Sequence, residues 1–109
     1  MTLSLSTNAF AAEETSGGGI VGEDYVSIFK QVGGGTWDQG TKTKGIFNKT
    51  KEVWSNYWHP SKVHGSAAQL GAKTPNRSCV KKDLTSKAFQ SSSNTDLTAY
   101  TYWNTSCKL

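Results

Sequence analysis

The stretch VWSNYWHPSKVHGS (residues 53–66) holds two tryptophans, a tyrosine, two histidines, a lysine and a proline. Such a stretch is suited to core, binding surface or active site, and the three readings demand different surroundings. Side chains alternate between the two faces of a strand. Val53, Ser55, Tyr57 and His59 therefore share one face, and Trp54, Asn56 and Trp58 the other. Proline presets φ at the second position of a tight turn. The segments EVWSNYW and SKVHGSAAQL are accordingly expected to form a hairpin about His59-Pro60-Ser61-Lys62.

Working outward, GGTWDQG reads as a short strand between glycines, and TKTKGIFNKTK as a basic, turn-rich loop. CVKKDL, SKAFQSS and LTAYTYW follow as strand candidates, separated by clusters of Ser, Asn, Thr and Asp. In the last of these, Leu97, Ala99, Thr101 and Trp103 oppose Thr98, Tyr100, Tyr102 and Asn104. Many short strands with polar turns and little helix signal indicate an all-β fold, an antiparallel sandwich or a small barrel. Each face of the first and last of these strands carries an aromatic ring, so some large rings are left on the surface. Residues 12–32 read as a flexible or partly helical lead-in: flexible over AEETSGGGIVGED, then a short helix or extended arm at YVSIFKQVGGG, although the same residues have the composition of a strand.

A chain of 109 residues makes one small domain with a thin core. With 35% hydrophobic residues, its twelve aromatics must supply much of the buried area. Charge is unevenly distributed. Residues 1–35 hold one base and four acids, whereas residues 36–109 hold eleven bases and four acids. A basic domain of this kind suits a polyanionic partner. Cys79 and Cys107 lack the tight spacing of a zinc site and read as a disulfide in an exported chain. Ala9, Phe10 and Ala11, followed by Ala12 and acidic residues, resemble the cleavage end of a secretory signal, with cleavage near Ala11 and Ala12. No apolar run is long enough to span a membrane.

Catalysis is not expected. His59 and His64 lack an activated nucleophile and a third metal ligand, and no nucleotide or hydrolase motif is present. Neither a cofactor nor a metal site is anticipated. The remaining constellation is aromatic and basic. Rings stack on sugar faces and lysines meet phosphate, so Tyr57, Trp58, His59, Lys62, His64, Tyr100 and Tyr102 are the candidate ligand contacts. Trp37, Trp54 and Trp103 are the expected core.

Three blocks resemble the lactococcin 972 family of bacteriocins. Gly34, Gly35, Thr36 and Trp37 match its early motif; Ser55, Asn56, Tyr57, His59, Ser61, Lys62, His64 and Ser66 match its central one. Lys87, Ala88, Tyr100, Tyr102 and Trp103 match its C-terminal segment. The resemblance implies a secreted antibacterial β-sandwich of two small antiparallel sheets occupying residues 33–109, after a signal remnant at 1–11 and the lead-in at 12–32. It also implies binding to the cell-wall precursor lipid II or another anionic wall component, rather than nucleic acid, with septum formation blocked and no pore formed. An immunity or transport system in the producer usually accompanies such a protein. A non-toxic secreted module for wall glycan or a host surface is the alternative. Cys79, Cys107 and the strongly basic Thr41–Lys51 segment depart from the family pattern.

Overall fold

A computed structural model describes residues 14–22 and 28–109; the signal-cleavage positions Ala11 and Ala12 lie outside them. Among the described residues there are eight strands and no helix. They are β1 (Ser16–Val21), β2 (Ile28–Val32), β3 (Gly35–Lys44), β4 (Thr50–Trp58), β5 (His64–Leu70), β6 (Asn76–Val80), β7 (Thr85–Ser92) and β8 (Ala99–Asn104). Two four-stranded antiparallel sheets result, ordered β1-β8-β5-β6 and β2-β3-β4-β7. The fold is the β-sandwich that the family resemblance implied.

Each sheet draws a strand from the lead-in. The sequence SGGGIV pairs with β8 and IFKQV pairs with β3, which corrects the flexible or partly helical reading of the lead-in: both segments are strands. The cause lies in the next turn. Gly33 and Gly34 take φ of 59° and 86° between the paired residues Val32 and Gly35. Two consecutive positive-φ residues give the turn whose twist matches that of flanking strands.

The expected hairpin about Pro60 does not form. β4 pairs with β3 and β7, while β5 pairs with β8 and β6, so the connection crosses from one sheet to the other. Both strands carry an apolar face, and each buries it against the opposite sheet rather than beside its sequence neighbour.

The interior has two parts. An aliphatic cluster joins Val53, Ala68, Leu70, Ala88 and Ala99, with Val21 and Leu97 packed against it. An aromatic cluster joins Trp37, Tyr57 and Trp103, with Val32 beside it. Trp54, expected in the core, is a correction: it stands half-buried on the outer face of its sheet, between its pairing neighbours Gly40 and Phe89. Alternation allows Val53, Ser55 and Tyr57 to face inward only if Trp54 faces outward.

Candidate functional site

The inward face of the stretch 53–66 is a hydrogen-bonded core network. The Tyr57 hydroxyl donates to the Val32 carbonyl at 2.8 Å, and its ring meets those of Trp103, His59 and His64. His59 Nδ1 accepts from the backbone amides of Ser61 and Lys62, both at 3.1 Å, while Nε2 lies 3.1 Å from the Gly33 carbonyl. Those contacts select the tautomer protonated on Nε2. His64 lies with Nδ1 2.7 Å from the Lys62 carbonyl and Nε2 2.6 Å from the Leu84 carbonyl. Together the two imidazoles clamp the 59–63 crossover to the Gly33 turn and to the turn before β7. Serine hydroxyls complete the seam between sheets. Ser66 Oγ lies 2.9 Å from Ser86 Oγ, and Ser55 Oγ donates to the Tyr102 carbonyl at 2.9 Å.

The sequence-predicted ligand residues are thereby divided among three places. Tyr57, His59 and His64 are interior and bond to the chain itself. Trp58 sits half-buried on the outer side of β4, its indole N–H donating to the Asp83 carbonyl at 3.2 Å. Lys62 is exposed on the crossover. Tyr100 and Tyr102 stand on the outer face of the other sheet, away from Trp58. One ligand cannot touch Trp58 and Tyr102 together, because the whole sandwich separates them.

The outer face of β1-β8-β5-β6 carries a groove of about 470 Å³ lined by Ser16, Gly17, Gln69, Pro75, Arg77, Tyr102, Trp103 and Asn104. Its shape follows from the pairing register. Across the sheet, Gly18, Tyr102, Ala67 and Arg77 form one row. The small Gly18 and Ala67 leave Tyr102 standing above its neighbours, and it is 37% exposed. Arg77 stands beyond Ala67, so a phenol ring and a guanidinium flank a floor without bulk. Arg77 was not singled out from the sequence, since it falls in GAKTPNRS, which reads as a loop. Alternation with Cys79 was the available signal, because both residues share a strand face. Cys79 bonds to Cys107, with Cα atoms 6.2 Å apart, and draws the C-terminal residues back across this face. Among the described residues no group of three His, Cys, Asp or Glu side chains is arranged to hold a metal.

A family model described as Bacteriocin (Lactococcin_972) matches residues 33–103. The chain belongs to the lactococcin 972 bacteriocin family. Membership supports a secreted antibacterial protein and suggests a non-enzymatic one. Comparisons with curated proteins and with solved structures return no match. The bacteriocin-family motif in this chain is largely a folding motif. Ser55, Tyr57, His59, His64 and Ser66 are all buried, and each is bonded across a turn or between sheets. Of its central residues, Ser61 and Lys62 are the ones left exposed.

Proposed function

We propose that this bacteriocin acts on the envelope of related Gram-positive cells by binding an anionic cell-wall precursor such as lipid II, blocking septum synthesis without catalysis. The groove of about 470 Å³ flanked by Tyr102 and Arg77 carries the reading. An aromatic ring offers a stacking surface for a sugar, and a guanidinium presents paired donors to a phosphate. A precursor that joins amino sugars to a pyrophosphate displays both groups at adjacent positions. Gln69, Asn104 and Ser16 add neutral polar contacts at the rim.

The test combines binding with growth inhibition of susceptible relatives. Arg77→Ala and Tyr102→Ala should each weaken binding to purified lipid II about tenfold or more, the loss of a charge-assisted or stacked contact. Both should lower growth inhibition in parallel while the melting temperature stays near that of the parent. Killing that persists in excess lipid II would sink the target assignment.

A second reading follows the other outer face, where Trp54 pairs with Phe89 and Lys87 lies two residues from Phe89 on the same face of β7. That strip suits a non-toxic module adhering to wall glycan. It predicts retention on purified cell walls, lost in Trp54→Ala, with no inhibition of growth.

A further inference from the structure

The β3–β4 hairpin holds a feature that neither core cluster nor the groove uses. Residues 42–49 are exposed without interruption, and at the apex Ile46 is 82% and Phe47 93% exposed. Gly45, at φ 99°, makes the turn; a side chain there would meet the Asn48 carbonyl oxygen at 2.7 Å. Four lysines surround the apex. Lys44 is paired with Glu52 at 2.8 Å, and Lys51 Nζ donates to the Leu97 carbonyl at 2.6 Å. Lys42 and Lys49 make no ion pair among the described residues.

Two adjacent large apolar side chains at the tip of a hairpin gain nothing for the fold. Adjoining exposed apolar side chains are a mark of an interaction site. An apolar apex with a lysine collar complements one environment in particular, the boundary between anionic headgroups and acyl chains. The apolar side chains enter the acyl boundary while the lysine stems lie along it and their ammonium groups remain among the phosphates. We propose that the β3–β4 hairpin is a membrane-docking element, in which Ile46 and Phe47 insert into an anionic lipid surface and Lys42 and Lys49 pair with its headgroups. The groove lies on the outer face of the other sheet, so the two contacts use separate residues. A protein whose target is anchored in a membrane would gain by searching along that surface rather than through bulk solution.

The test uses the full chain and vesicles that contain no wall precursor, so its outcome is independent of lipid II. Co-sedimentation is measured with vesicles of phosphatidylglycerol mixed with phosphatidylcholine, and with phosphatidylcholine alone. The parent should bind the anionic vesicles and lose binding as salt rises. Lys42→Gln and Lys49→Gln should each reduce partitioning about fivefold. The pair Ile46→Ser and Phe47→Ser should reduce it at least about tenfold, since most of the inserted apolar area is removed. These variants alter exposed positions, so an unchanged melting temperature verifies folding. Equal binding to neutral and anionic vesicles would overturn the proposal. So would apex variants that bind as the parent does, or a parent that binds neither vesicle.

Discussion

The indole N–H of Trp37 donates to the Ser55 hydroxyl at 2.9 Å within the interior of the sandwich. Ser55 in turn donates to the Tyr102 carbonyl in the opposite sheet, so one small hydroxyl holds an aromatic ring and joins the layers. Similar links run from Thr101 Oγ1 to Gln39 Oε1 at 3.0 Å and from the Leu70 amide to Gln90 Oε1 at 2.7 Å. A chain short of aliphatic residues builds part of its interior from satisfied polar pairs, which rigidify a core only while every member is bonded.

Ser55→Ala therefore leaves a buried indole N–H and a carbonyl without their partner. The expected loss is about 1–3 kcal/mol, the cost of stranding a buried polar group. Urea denaturation measures it; a variant as stable as the parent would show the link to be dispensable.

The opposite placements of Trp103 and Trp54 give a paired test. Trp103 is 2% exposed and packs on Tyr57, whereas Trp54 stands on an outer face. Trp103→Ala should cost about 3–5 kcal/mol as a buried aromatic truncation. Trp54→Ala should cost less, because its ring packs on an outer face with solvent on one side and leaves no enclosed cavity when removed. Equal losses in denaturation midpoint would contradict the register described above.

Gly33 turns the chain beneath the aromatic cluster. A side chain added there would come within 2.3 Å of the Trp103 ring, at a φ of 59°. The left-handed backbone alone costs an L-residue about 1–2 kcal/mol, and the clash adds to it. Gly33→Ala should thus lower stability by at least about 2 kcal/mol. The Trp103 fluorescence environment should shift as the ring gives way.

The Cys79–Cys107 bond closes a separation of 28 residues. In the chain-entropy account a loop of that length contributes about 3–4 kcal/mol. Reduction, or Cys79→Ala with Cys107→Ala, should lower the melting temperature by roughly 12 °C or more. A reduced protein that melts with the oxidised one would show that the bond tethers the tail without stabilising the sandwich.

Much of the fold was legible in residue order. The alternation of residues 53–59 and 97–104 separates the two faces of β4 and β8 as the structure shows them, and the polar clusters mark the turns. The cysteine pair also stood out, because two cysteines in a chain read as exported have few other uses. The lead-in was harder. Its glycines read as flexibility, yet in SGGGIV they permit close passage over Trp103: a side chain at Gly17 would lie 2.7 Å from the indole nitrogen.

Residue order alone was enough for the strand character of β4, β5, β7 and β8, the two sets of side chains on β4 and β8, and the family to which the chain belongs. These are properties of neighbours along the chain, where a period of two needs no knowledge of partners. Long-range pairing settles which set faces inward, that β4 and β5 occupy different sheets, and that Tyr57, His59 and His64 are interior while Trp54 is not. It also places Tyr102 and Arg77 on either side of Ala67 in one row of the outer face. Those outcomes depend on pairings between distant segments. A strand with rings on both faces carries no local preference strong enough to choose between them; the opposite sheet makes the choice by burying one face.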